Sequence, residues 1–276
     1  MTTAAANTIQ SVKLYTFKLS LWAAVPRLLI AEKAIPNVEE VDVDLSKAEN
    51  HAPDYLKMNP HATVPTLEVI NHKDVHTILT DSITVTEYLD QQAGSPLHPE
   101  GGEKERREME ELIQAMHGRY DLGNQVFFTS GSLSEIETKR SLISPFLQGR
   151  IEAWKSYAAA DGTTSEDRTR YERLIQETEP MLAVYQGTTS PSSMFDINRK
   201  YWDTLTEFLD QIESRLQKDD RPYLTGQRYT LADIHFTPYL HRLAIINPDI
   251  VFQNRAALIG YYERVKRRDS FAVVFG

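Results

Sequence analysis

Apolar positions recur along the chain first at strand spacing and then, beyond the first third, only at helical spacing. Val12 to Phe17 alternates as a short strand. Leu21 to Lys33 carries Leu21, Val25, Leu28 and Leu29 on one helical face, and Ile35-Pro36 ends that helix because a residue before proline is driven out of the helical region. Residues 38–45 (VEEVDVDL) predict a second strand with charges on one face, and Asp54 to Met58 a short irregular helix. Thr66–Ile70 and Val75–Leu79 predict a hairpin across Asn71-His72-Lys73-Asp74, followed by a helix over Ser82–Gln92.

The resulting order, β-α-β-α-β-β-α with a right-handed crossover for the first parallel pair, describes a thioredoxin-like α/β layer. Residues 93–103 (AGSPLHPEGGE) interrupt it with three glycines and two prolines, which places a linker over 94–102. Everything later reads helical: one long helix from Glu103 to Phe128 with Met109, Leu112, Ile113, Met116 and Tyr120 on a stripe, two more over 132–160 and 165–186, a loop over 188–193, and helices over Tyr201–Leu216, Thr230–Ile246 and Arg255–Arg268. Thr230 and Asp233 have capping-box spacing, and Tyr229 against Ile234 has that of a hydrophobic staple. The expected organisation is a mobile leader (1–11), an α/β domain (12–93), the linker, and an all-helical bundle (103–276).

The 276 residues are 41% hydrophobic and 25% charged, an ordinary globular balance. A formal charge of −9 argues against nucleic acid as a partner, since affinity for phosphate backbones comes from Lys and Arg. The one basic cluster, Arg264, Lys266, Arg267 and Arg268, reads as the favourable end of a helix dipole. Zero cysteines exclude disulfides, thiolate metal sites and a protein-borne sulfur nucleophile, so any thiol chemistry must use an imported thiol. The eight histidines show no metal-ligand spacing, and neither a Gly-rich phosphate loop nor a G-x-S-x-G elbow is present. The first eleven residues lack signal-peptide character and no run reaches the ~18 apolar residues of a membrane span. The expectation is a soluble cytoplasmic protein without membrane or metal.

The segment Asn59-Pro60-His61-Ala62-Thr63-Val64-Pro65-Thr66-Leu67 puts a proline where an inner strand begins. One solution is a cis Val64–Pro65 bond that turns the Val64 N–H and C=O outward, free to pair with a peptide; the plain alternative is the start of an edge strand. Thr80-Asp81-Ser82-Ile83 then opens a helix. By itself this is an N-cap; it is equally a place where free N–H groups attract a carboxylate while Asp81 pairs with an ammonium, as a γ-glutamyl group would require.

NPHATVPTL followed by LTDSITVTEYLD resembles the N-terminal domain of cytosolic glutathione transferases, and the capping-box segment resembles the core helix of their helical domain. ADIHFTPYLHRL and YYERVKRRDSFAVVFG are similar to the branch holding tetrachlorohydroquinone dehalogenase and the ganglioside-induced differentiation-associated proteins. The chain departs from that branch in lacking the dehalogenase cysteine and in ending at Gly276 without a membrane anchor, so neither function is expected to transfer.

The resemblance implies that Val64, with Thr63 and Pro65, pairs with the cysteinyl backbone of glutathione, and that Asp81 and Ser82 hold its γ-glutamyl end. As in serine-using classes, Ser20 would donate a hydrogen bond to the glutathione sulfur and favour thiolate; Tyr15 is the rival donor, and Ser20 as a helix N-cap is the structural alternative. For the glycine carboxylate His51 is the candidate, with Lys47, Asn50 and Lys57 as competitors. Trp22, Met116 and Tyr120 are candidates for lining a second-substrate pocket that the long segment 130–200 shapes, although core packing explains each of them as well. The implied activity is attack of the glutathione thiolate on an apolar electrophile. Alternatives are a glutathione-dependent double-bond isomerase in natural-product biosynthesis, and a non-catalytic interaction module. A homodimer is expected from resemblance.

Overall fold

The computed structural model describes residues 9–71, 75–94, 96–218 and 221–276. Ile9–Thr16 (β1), Val38–Asp42 (β2), Thr66–Asn71 (β3) and His76–Leu79 (β4) form one sheet in the order β2-β1-β3-β4. β1 runs parallel to β2 and antiparallel to β3, and β3 runs antiparallel to β4. Ala24–Glu32 (α1) makes the crossover between the parallel pair, Pro53–Met58 (α2) precedes β3, and Ser82–Gln92 (α3) follows β4. Alternation decides the two faces of the sheet. Leu14, Leu67 and Val69 meet Val25, Leu28, Leu29, Val85 and Leu89 on one side, whereas Val43, Tyr55 and Val64 gather on the other with Tyr15 partly buried beside them.

The remainder is helical: Glu103–His117 (α4), Gly123–Phe128 (α5), Leu133–Ala159 (α6), Ser165–Gln186 (α7), Ser192–Gln217 (α8), Leu231–Ile246 (α9), Pro248–Phe252 (α10), Ala256–Lys266 (α11) and Asp269–Phe275 (α12). One apolar core runs through both halves, from Leu14 and Leu28 to Phe208, Phe236 and Tyr261. The α6–α7 hairpin has a second core of its own, in which Ile143, Leu147, Ile151, Trp154 and Tyr171 reach back to Ala48 in the α/β layer. Gly149 of α6 crosses the 3-10 turn Leu45–Lys47 so closely that a Cβ would stand 2.6 Å from the Ser46 carbonyl oxygen, so only glycine permits the crossing.

Several boundaries differ from the periodicity. The long helix expected to Phe128 breaks after His117, where Gly118 leaves helical geometry (φ −116°, ψ −107°) and the Tyr120 N–H turns back to the Ala115 carbonyl at 3.0 Å. The first helix starts at Ala24 and not Leu21, and the second strand stops at Asp42. α8 begins at Ser192, inside the expected loop, because Met194, Asn198, Trp202 and Leu205 continue its buried stripe. Ile9–Ser11 belongs to β1 rather than to a leader. The rest of the leader and three of the four hairpin-turn residues, His72, Lys73 and Asp74, lie outside the described residues. The basic cluster does more than sit at a helix end: Arg268 pairs with Glu32 of α1 through two nitrogens and lies 4.0 Å over the Tyr229 ring, which fastens the C-terminus to the first helix.

The capping box at the start of α9 is present and wholly buried. The Asp233 carboxylate accepts from the Thr230 N–H at 2.9 Å and from the Leu224 N–H at 3.0 Å. Asp233→Ala strands both donors without water and is expected to cost about 3 kcal/mol of stability, read from the urea midpoint; a loss under about 1 kcal/mol, the ordinary worth of a single exposed cap, would show that the box is not the anchor of α9.

Candidate active site

The sequence around β3 builds a shelf of main chain. The Val64–Pro65 bond is cis. Among the described residues neither the Val64 N–H nor its carbonyl has a partner, which is the disposition a bound peptide requires. Buried Asn59 holds the approach to this shelf, its side-chain amide donating to the Thr63 carbonyl at 2.9 Å and to the Thr66 hydroxyl at 2.9 Å. The Tyr55 hydroxyl donates to the same Thr63 carbonyl at 2.6 Å, and the Asn50 amide to the Ala62 carbonyl at 2.5 Å. Thr63 joins the shelf to the opening of α3 by donating its hydroxyl to the Thr80 carbonyl at 3.4 Å.

Asp81 caps α3, with one carboxylate oxygen accepting from the N–H groups of Ile83 (2.6 Å) and Thr84 (3.3 Å). The Ser82 N–H is left without a described partner, and Ser82 is buried. Cap and anion site are therefore compatible here: one oxygen of Asp81 is committed and the other remains open.

Ser20 sits in the turn between β1 and α1. Its N–H donates to the Phe17 carbonyl at 2.9 Å, and its Oγ accepts from the Ala23 N–H at 3.3 Å. Acceptance through the oxygen leaves the hydroxyl proton free to donate outward, so the cap does not preclude a donor role. Ser20, Thr63, Val64, Asn50 and Trp22 line a single cavity of about 600 Å³ whose remaining wall is mostly apolar and comes mainly from α5, α6 and α7, with Tyr201 of α8 and Arg242 of α9. Tyr15 does not reach it. Its hydroxyl donates to Glu68 at 3.1 Å, and burial with that carboxylate pushes its pKa up to about 12.

Trp22 is oriented from behind: its indole N–H donates to Asp121 at 3.0 Å and its ring lies 3.8 Å from that of His117 and 5.8 Å from that of Tyr239. Met116 and Tyr120, the other two expected lining residues, do not reach the cavity. Both belong to the central core, where Tyr120 stacks on Phe208 at 4.4 Å and its hydroxyl accepts from Gln211. The stripe that suggested them is the buried face of α4 and its continuation, and periodicity alone cannot separate a core from a pocket wall.

His51 also lies away from the cavity. It is buried under α6 and α7, its carbonyl accepts from the Tyr171 hydroxyl at 2.9 Å, and burial together with the neighbouring charges of Arg150 and Arg170 lowers its pKa to about 4. A neutral, covered imidazole offers no charge to a carboxylate. Lys47 and Lys57 pair with Asp44 and Asp54 at the surface.

Two arginines that periodicity did not reveal stand in the cavity wall. Arg150 of α6 donates to the Leu45 carbonyl at 2.7 Å, approaches Asn50 Oδ1 at 3.5 Å and His51 Nε2 at 3.4 Å, and covers the Trp154 ring at 4.7 Å. Arg242 of α9 donates to the Leu19 carbonyl, next to Ser20, and lies 4.4 Å over the Phe127 ring. Burial lowers the pKa of each to about 10, still far above neutrality, so both remain cationic. An arginine near the end of the mainly apolar run LADIHFTPYLHRLAII, where Asp233, His235, Thr237 and His241 are the other polar residues, was the available signal for Arg242; nothing local distinguished Arg150.

The Glutathione S-transferase N-terminal domain family model matches residues 14–97, and the Glutathione S-transferase C-terminal domain model matches residues 165–264. The chain is 25% identical over 264 residues to the tetrachloro-p-hydroquinone reductive dehalogenase of Sphingobium chlorophenolicum, covering 94% of each chain. It is 27% identical to the human ganglioside-induced differentiation-associated protein 1-like 1 over 97% of this chain and 74% of that one. Among solved structures, the beta-etherase LigF from Sphingobium sp. strain SYK-6 superposes with a TM-score of 0.67 at 21% identity, covering 96% of this chain and 99% of the other. No helix among the described residues is long and apolar enough to cross a membrane, and no group of them could hold a metal ion.

His51 and His117 both have folded pKa values lowered by burial from 6.5 to about 4. Between those values the unfolded chain binds protons that these two native histidines refuse, so their contribution to stability is full above 6.5 and is lost as the pH drops toward 4. The urea midpoint is expected to decline through that window, and His51→Asn to flatten the decline; an unchanged slope would mean His51 protonates freely in the folded state.

Proposed function

This chain belongs to the glutathione S-transferase family, and from that premise we propose that it binds glutathione along the Val64 shelf and delivers its thiolate to an apolar electrophile in the adjoining cavity. The observation that carries the reading is that a hydroxyl with an unused proton, Ser20, and an unpaired peptide edge, Val64, open into one cavity whose other walls are mainly apolar. Main-chain pairing at Val64 fixes the cysteinyl unit, while the Ser82 N–H and the open oxygen of Asp81 take the carboxylate and ammonium of the γ-glutamyl end. Arg150, and not His51, is the group we assign to the glycine carboxylate, since it carries charge beside Asn50 and Leu45 where His51 carries none.

In the chemical step the glutathione thiol gives its proton to water, and the Ser20 hydroxyl, remaining neutral, donates a hydrogen bond to the sulfur anion. That donation lowers the thiol pKa and raises the thiolate fraction at neutral pH. The sulfur then forms a bond to the electrophilic carbon, and the leaving group departs with its electron pair. Trp22 and the aromatic side of the cavity hold the acceptor and exclude water, so orientation and thiolate stabilisation are the catalytic terms.

Ser20→Ala is expected to lower kcat with 1-chloro-2,4-dinitrobenzene by tenfold or more and to raise the pKa of bound glutathione, while changing glutathione affinity less than threefold. Tyr15→Phe should leave turnover unchanged. The reverse pattern would transfer the donor role to Tyr15. Arg150→Met is expected to weaken glutathione about tenfold, the order of one charge-assisted hydrogen bond, and to leave binding of the glycyl ethyl ester unaltered; equal losses for both ligands would remove Arg150 from the carboxylate site.

A further inference from the structure

Arg242 stands where an anchor for glutathione is not required. The peptide shelf, the opening of α3 and Arg150 already account for the tripeptide's backbone and both of its carboxylates. Arg242 instead borders the cavity beside the Ser20 turn, on the side enclosed by α5 and α9, facing the space left for the second substrate. Among the described residues its guanidinium finds one hydrogen-bond acceptor, the Leu19 carbonyl, and no carboxylate. Glu177, the one carboxylate in the cavity wall, is on the exposed side of α7 with Arg173 at 3.9 Å. A planar cation half-buried on Phe127, with a single acceptor among the described residues, keeps the rest of its five donors for a ligand, and its fork suits a carboxylate. Withdrawing it from water without a counter-charge is costly, and a ligand anion in an apolar cavity offsets that cost.

We infer that the second substrate has an apolar, ring-sized body carrying a permanent anion, a carboxylate or its equivalent, and that Arg242 is the residue that selects it. With the body against Trp22, Phe127 and Phe146 and the anion on Arg242, the reacting carbon lies between that anion and the glutathione sulfur. Assigning the anion to the second substrate rests on the glutathione reading. The charge preference of the cavity does not, and the two are separated by experiment.

Calorimetry on the full chain with 2-naphthoate and 2-naphthamide, which share a body and differ in charge, is run free and with saturating S-methylglutathione. The wild type is expected to bind the naphthoate at least tenfold more tightly in both states. Arg242→Met should bring the ratio below threefold, mainly by weakening the naphthoate; Arg242→Lys should keep an intermediate ratio, and Arg150→Met the full one. No preference in the wild type, which needs no variant to fold, overturns the inference, as does a ratio unaffected by Arg242→Met. A preference that vanishes once S-methylglutathione is bound also overturns it, because Arg242 would then serve the tripeptide. Absence of heat with S-methylglutathione itself would sink the glutathione reading alone, the naphthoate ratio being read in the free protein too.

Discussion

The arrangement depends on keeping one piece of backbone unpaired. A β-strand edge in a folded protein is ordinarily covered or paired, and Val64 escapes because the chain before it is tied elsewhere: Asn59 and Tyr55 both donate to the Thr63 carbonyl, and Asn50 holds Ala62 in a positive-φ conformation (φ 55°). These donors are buried side chains of the turn and α2 segment, so the open edge is a property of the core as much as of the surface. The hydroxyl of Thr63 extends the same network to the start of α3, so the shelf and the helix opening are tied together.

Around this shelf the charges are distributed by burial. His51, covered and beside Arg150, is neutral, and the cation reaches the cavity from a helix about a hundred residues later in the chain. Arg242 arrives by a similar route from α9. Arginine suits both places because burial that silences a histidine leaves a guanidinium charged. The result is a cavity with aromatic walls and two fixed positive ends, one toward the shelf and one toward the Ser20 turn.

Much of this was legible in the sequence where a local rule had one outcome. The proline before a strand, the Asp-Ser at a helix start and the Thr-x-x-Asp box each constrain backbone donors within a few residues, and each has the expected geometry. Less legible were features settled by long-range packing. The stripe carrying Met116 and Tyr120 is apolar whether it faces a core or a pocket, and His51 sits in a loop by sequence yet is covered by Tyr171, 120 residues away. The break after His117 depends on Gly118 and on how Trp22 and Asp121 meet across it, which periodicity within α4 does not encode.

Gly149 gives the cavity its architecture. Because α6 rests directly on the Ser46 carbonyl, with Arg150 donating to Leu45 in the next position, the hairpin that roofs the cavity is bolted to the Leu45–Lys47 turn at its floor. Roof and floor are mechanically one unit: a substitution that shifts α6 also shifts the turn beneath it, so the two walls of the cavity can diversify only in concert.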